Sequence, residues 1–209
     1  SMNAQTERRR CQGAAGQIAV LVDSPASGQA IKGTAVIAHP HPLFGGTMDN
    51  KVVQTLARAF VQCGWQAVRF NFRGVGESAG AYDEGRGEAQ DMLAVVQQLA
   101  STGPLALAGF SFGAYVTSHV LAELSSNRAI EKVVLVGAAA SRFQVASVPT
   151  ELHERTLVVH GEADDTVPLS SVMDWARPQV LPVTVVPAGG HFFHGQLPLL
   201  KSLVVRHLA

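Results

Sequence analysis

The sequence predicts an α/β domain with a mostly parallel central sheet and helices on both faces, and three observations carry that reading. Strand-like apolar runs alternate with helix-like amphipathic runs from residue 17 to the last turn of the chain. Only 15% of the 209 residues are charged while 47% are hydrophobic, against a usual charged share of about 25%. A deficit of that kind fits a sheet whose two faces are both covered. No repeat, low-complexity segment or linker divides the chain, so a single domain over residues 1–209 is expected, with 1–16 as a partly flexible polar tail.

The elements follow in order. Gln17–Asp23 (QIAVLVD) is strand-like, the Ser-Pro-Ala-Ser-Gly-Gln stretch from Ser24 is turn chemistry, and Gly33–Ala38 (GTAVIA) is a second strand. These two could pair antiparallel at an edge. From Lys51 the apolar residues Val52, Val53, Leu56, Ala59, Phe60 and Cys63 recur at helical spacing, with Asp49 or Thr47 as cap and Gly64 as stop. Gln66–Phe72 is a strand and is followed by a Gly-rich loop from Gly74. A helix over about Arg86–Ala100, a short strand Leu105–Ala108 and a helix from Phe112 to about Leu124 come next. Strands Lys132–Val136, Thr156–His160 and Val183–Val186 follow with helices between them, and a helix near Gln196–His207 closes the chain. Strands alternating with helices give parallel neighbours joined by crossovers.

Several function classes receive no support. Sixteen Lys and Arg balance sixteen Asp and Glu, with a pI near 7.1, so no basic field exists for nucleic acid. The basic run Arg8-Arg9-Arg10 reads as a solvated terminal segment. No stretch of about 18 apolar residues could span a membrane. The N-terminus is polar through Gln17, which points to a cytoplasmic protein, and so does the absence of any disulfide framework. Cys11 reads as a free thiol and Cys63 as small apolar filler. Gly74-Val75-Gly76-Glu77-Ser78-Ala79-Gly80 hints at a dinucleotide loop, but its third Gly arrives one place late, and no phosphate-binding P-loop occurs. No cofactor is expected. His39 and His41 are flanked by proline with no further ligand at metal spacing, so no metal is expected either. His39 should instead pack or hydrogen-bond beneath its loop. His119, His153, His160 and His207 have no partner pattern.

In a sheet of this kind functional residues gather at the carboxyl ends of the strands. There, Gly109-Phe110-Ser111-Phe112-Gly113 is a G-x-S-x-G set between a strand and a helix. A serine on so sharp a turn needs neighbours without side chains, which Gly109 and Gly113 supply. It also needs a base and an orienting carboxylate. The loop His160-Gly161-Glu162-Ala163-Asp164-Asp165-Thr166-Val167-Pro168 offers three carboxylates, and Gly189-Gly190-His191-Phe192-Phe193-His194 offers two imidazoles.

Five motifs in order now define a resemblance: HPHPLFGGTMDNKVV from His39, RFNFRGVGES from Arg69, GFSFGA from Gly109, HGEADDTVP from His160 and GGHFFHG from Gly189. Together they resemble the α/β-hydrolase superfamily, and within it small lid-less bacterial hydrolases related to dienelactone hydrolase. The resemblance implies the α/β-hydrolase fold without a large lid domain. It implies a catalytic triad of Ser111, Asp164 and His191, with Asp165 as fallback acid or as cap of a helix near Leu169, and with His194 at the rim. Dienelactone hydrolase attacks with cysteine, so its activity does not carry over to a chain with Ser111 at the elbow.

An oxyanion hole needs two N–H donors. Phe112 supplies one. In the His39–Gly46 loop Pro40 and Pro42 have no N–H, which narrows the choice of the second; Leu43 is favoured, with His41 as the alternative. Phe44 and Phe192 are expected as substrate-binding walls, and Phe110 as sheet core. The resulting expectation is a serine esterase or thioesterase on a small apolar substrate. A peptidase, a polyester depolymerase, or a binding protein that has lost activity are the other readings. Only about twenty residues (137–155) separate two strands where larger relatives carry a lid, so the site should be open unless a homodimer partner covers it.

Overall fold

Alternation inside the central strands decides the architecture of the protein, whose computed structural model describes residues 6–209. In β3 (Thr34–Ala38) Val36 and Ala38 face one apolar cluster while Ala35 and Ile37 face another. The same split divides Leu105 and Leu107 from Ala106, Ala108 and Phe110 in β5 (Leu105–Phe110). It recurs in β6 (Lys132–Val136), where Val133 and Leu135 oppose Val134 and Val136. Strands apolar on both faces must be covered on both. One cluster receives α2 (Arg86–Leu99), α3 (Phe112–Leu124) and α4 (Leu169–Ala176); the other receives α1 (Lys51–Gln62) and α5 (Leu197–Leu208).

The remaining strands are β1 (Thr6–Gly13), β2 (Gly16–Asp23), β4 (Gln66–Phe70), β7 (Thr156–Gly161) and β8 (Thr184–Val186). All eight form one sheet in the order β1-β2-β4-β3-β5-β6-β7-β8. The β1–β2 and β2–β4 pairs are antiparallel and the other five pairs are parallel. The fold is therefore the expected mostly parallel α/β architecture, and its details correct three sequence readings.

Residues 6–13 of the expected tail are a strand, in register with β2 from Thr6↔Asp23 to Gly13↔Gly16. Arg8, Arg9 and Arg10 thus lie on an edge strand, where charge discourages pairing with another chain. Cys11 is buried in the core and Cys63 is half-buried; both are free thiols. Residues 1–5, the first part of that tail, lie outside the described residues. The strands at 17–23 and 33–38 do not pair with each other. β4 is inserted between them, and β3 sits in the middle of the sheet against β5. The cap of α1 is Asn50, whose Oδ1 accepts from the N–H groups of Val52 and Val53, not Asp49 or Thr47.

A buried ion pair joins the antiparallel edge to the α1 entry. Arg69 Nε donates to Asp23 Oδ2 at 3.0 Å, Arg69 Nη1 donates to the Met48 carbonyl at 3.0 Å, and Asp23 also accepts from Thr6 Oγ1. Among the described residues no helix is long and apolar enough to cross a membrane.

Candidate active site

Ser111 leaves β5 with φ 60° and ψ −118°, in the left-handed half of backbone space where a residue with a side chain is strained. The flanking glycines have a steric reason. A Cβ on Gly109 would lie 2.4 Å from the Gly113 carbonyl oxygen, and one on Gly113 would lie 2.3 Å from the Ala38 carbonyl oxygen. The strand, turn and helix can therefore approach only without those side chains. Because α3 starts at Phe112, the Phe112 N–H is one of the first-turn donors without an intrahelical partner, beside the serine hydroxyl.

Two further loops complete the centre. His191 Nε2 is 3.0 Å from Ser111 Oγ, and His191 Nδ1 is 2.6 Å from Asp164 Oδ2. The other carboxylate oxygen of Asp164 accepts from Thr166 N–H at 2.9 Å and Val167 N–H at 2.7 Å. Burial works to raise the Asp164 carboxyl, but the hydrogen bonds from His191 and from Val167 N–H outweigh it and hold it below 3.8. The carboxylate is thus ionised and aimed at the imidazole. The loops themselves are locked together: Ala163 N–H donates to the Gly189 carbonyl at 2.9 Å, and Glu162 Oε1 accepts from Ala188 N–H at 2.9 Å.

The three carboxylates of the acid loop are in this way sorted by contact. Asp164 meets His191, Glu162 holds the histidine loop, and Asp165 is exposed without a hydrogen bond or ion pair among the described residues. Asp165 does not cap α4 either, since its cap residue is Pro168 and no side chain bonds that terminus. His194 is exposed and outside the cavity described below.

The expectation for the second oxyanion donor requires correction. Leu43 lies inside a short 3-10 turn (Pro42–Phe44), where its N–H donates to His41 Nδ1 at 3.1 Å, and its side chain is 63% exposed. That N–H is spent on capping the turn. His41 lines the cavity beside Ser111 and Phe112, and its own N–H has no partner among the described residues. The ring of His41 is held between Phe44, Tyr82 and Phe112, with centroids 4.6, 4.9 and 4.8 Å away. Burial and the nearby Arg142 keep it neutral by pushing its pKa down. His39, directly upstream, commits both ring nitrogens: Nδ1 to the Pro40 carbonyl at 2.6 Å and Nε2 to Phe72 N–H at 3.0 Å. Among the described residues no group of three or more His, Cys, Asp or Glu could hold a metal ion.

A cavity of about 310 Å³ opens at Ser111 and His191. Phe44 and Phe192 line it and remain 73% and 43% exposed. Phe110 is wholly buried in the sheet, with its ring 5.0 Å from that of His191.

Comparison with known proteins decides the family. A family model described as serine aminopeptidase, S33 matches residues 30–149, more than half of the chain. A solved α/β serine hydrolase without lid from Xanthomonas campestris is 36% identical, with a TM-score of 0.87 over 99% of this chain and 94% of that one. An α/β serine hydrolase homologue from Coxiella burnetii is 38% identical, with a TM-score of 0.84 and full coverage of both chains. The chain belongs to the α/β-hydrolase superfamily, among its small lid-less members. A protein of Rickettsia prowazekii is 42% identical over 91 residues, and that match spans only 38% of its length.

The segment between β6 and β7 explains the absent lid: it carries only a 3-10 turn at Thr150–Arg155. Part of this lid-less hydrolase's site escaped sequence reasoning. Asn50, the adjacent pair Arg142 and Phe143, and Thr166 line the cavity, yet they come from three separate connections with no shared spacing. His160, read as lacking a partner, is wholly buried; its Nε2–H donates to the Val167 carbonyl at 2.7 Å and lies 3.5 Å from Asp164 Oδ2. Its position four residues before Asp164 was a usable signal.

Proposed function

We propose that the protein hydrolyses carboxylic esters or thioesters of small-molecule substrates with Ser111 as nucleophile. The observation that carries this reading is the imidazole of His191 set between Ser111 Oγ at 3.0 Å and Asp164 Oδ2 at 2.6 Å. Asp164 fixes the tautomer with the proton on Nδ1, which leaves Nε2 to take the hydroxyl proton as Oγ bonds to the acyl carbon. The oxyanion is held by the N–H groups of Phe112 and His41. Collapse of the tetrahedral adduct breaks the bond to the alcohol or thiol, which leaves with the proton from His191. Water then gives a proton to His191 and its oxygen to the acyl carbon, so the acid departs and Ser111 regains its proton.

The family description favours a second reading, an aminopeptidase. Such an enzyme must hold a free α-ammonium group, and the described residues lining the cavity include Arg142 but no Asp or Glu. That lining disfavours a cationic substrate end. Fluorophosphonate labelling of wild type and Ser111→Ala, read by intact mass, tests the nucleophile. Hydrolysis of p-nitrophenyl butyrate beside alanine p-nitroanilide tests the bond. Stoichiometric labelling lost in the variant and turnover of the ester alone are expected. Absence of labelling on folded protein would leave a binding protein on a hydrolase fold, and turnover of the anilide alone would establish the peptidase.

A further inference from the structure

The polar groups around the cavity are unbalanced. Arg142 lines it from the connection after β6 and has neither an ion-pair partner nor a side-chain hydrogen bond among the described residues. The close Arg–carboxylate pairs among the described residues lie elsewhere: Arg69 with Asp23, Arg73 with Asp91 and Arg177 with Asp174. Asn50, which also lines the cavity, spends its Oδ1 on two N–H groups of α1 and keeps its amide NH2 as a donor. Thr166 adds a hydroxyl. No described lining residue is acidic, and Asp164 is sealed behind His191.

The N-terminal ends of α1 and α3 also meet this space, through Asn50 and through Ser111 with Phe112. Both bring the positive ends of helix dipoles to it. Among these features Arg142 is the full charge. Arg142 is exposed at this cavity, next in sequence to the lining residue Phe143, and its solvent-facing guanidinium is free to receive a carboxylate or a phosphate there.

We propose that the cavity selects esters bearing an anionic group apart from the scissile bond, with Arg142 as the residue that holds that group. This rests on the serine-hydrolase reading and narrows its substrate class. The anion meets Arg142, with the amide of Asn50 and the hydroxyl of Thr166 as further donors around the same cavity. The apolar stretch between the anion and the ester packs on the phenylalanines. Phe44 and Phe192 leave the mouth open, so the anionic end can enter without a lid having to move.

The test uses two matched pairs of esters, each an anion and a neutral counterpart of similar leaving-group chemistry. On the acyl side these are p-nitrophenyl hydrogen adipate and p-nitrophenyl hexanoate; on the alcohol side, 4-(carboxymethyl)phenyl and 4-ethylphenyl butyrate. The readout is the ratio of kcat/KM, anionic over neutral, in wild type, Arg142→Gln and Arg142→Lys. In at least one pair the wild-type ratio should exceed one and fall about tenfold or more in Arg142→Gln, with partial recovery in Arg142→Lys. It should also fall as salt rises. The pair that responds tells on which side of the ester the anion lies. Ratios at or below one in both pairs, or ratios that Arg142→Gln leaves unchanged, overturn the proposal. Fluorophosphonate labelling of Ser111 in the same preparations separates the two levels of failure. Labelling without anionic preference removes this inference alone, whereas neither labelling nor turnover removes the serine-hydrolase reading and this inference with it.

Discussion

His191 faces two partners that demand opposite roles of its nitrogens, a donor toward Asp164 and an acceptor toward Ser111. Asparagine in place of Asp164 could donate its own N–H to Nδ1 and stabilise the wrong tautomer, with little change of shape. Asp164→Asn should therefore lower kcat on p-nitrophenyl butyrate by about three to four orders of magnitude, mostly without change in KM. Asp165→Asn, at an exposed carboxylate without a partner among the described residues, should stay within about twofold of wild type. Steady-state kinetics of the two variants side by side decide the acid, and the reverse pattern would move it to Asp165. His160 acts on the same carboxylate through the backbone: its ring donates to the Val167 carbonyl, and Val167 N–H donates to Asp164. His160→Phe leaves that buried carbonyl without a partner and should cost about 1–3 kcal/mol of stability, measured by urea unfolding.

At the scale of elements, the serine depends on how closely α3 can approach β3. The nearest atom to a Cβ on Gly113 is backbone, the Ala38 carbonyl oxygen at 2.3 Å, so no rotamer change relieves the clash. Gly113→Ala should lose about 1–3 kcal/mol and reduce ester turnover further than that loss explains, because the Phe112 N–H shifts with the helix. Equal stability and turnover to wild type would show that α3 can slide. This turn was legible in the sequence because its demands are local, five consecutive residues between an apolar run and a helix. The edge was not. In β1 only Cys11 is buried and the other residues are half-buried or exposed, so TERRRCQG carries no strand-like apolar alternation. Its strand character comes from the β2 partner across the turn. The place of β3 was equally hidden, since periodicity reports that a strand is covered and says nothing of which strand lies beside it. The fate of the Leu43 N–H was hidden for a related reason: only the folded turn shows that the His41 ring takes it up. Arg142 and Asn50 reach one cavity from connections about ninety residues apart in sequence, beyond any motif.

For the molecule as a whole, acid stability is set by histidines folded in their neutral form. His39 is wholly buried beneath the loop that joins β3 to α1, and burial, only partly opposed by its bond to the Pro40 carbonyl, pushes its pKa down to about 4 from 6.5. Burial lowers His160 and His207 as well. Between pH 6.5 and 4 the unfolded chain binds a proton at residue 39 that the folded chain refuses, so stability must fall as pH falls through that interval. For His39 alone the loss is about 3 kcal/mol. The Asp164 carboxyl, held low in the fold, adds its loss in the same direction but only below its unfolded value of 3.8. Urea midpoints between pH 7 and 4.5 should therefore decline steadily, above the range where carboxylates contribute. His39→Gln offers an acceptor for Phe72 N–H and a donor for the Pro40 carbonyl without a titrating group. It should start lower at pH 7 but decline less steeply, by an amount that reports the share of residue 39. An identical slope in the two proteins would mean that His39 protonates in the folded state without opening the loop, and the control of acid stability would then lie with His160 and His207.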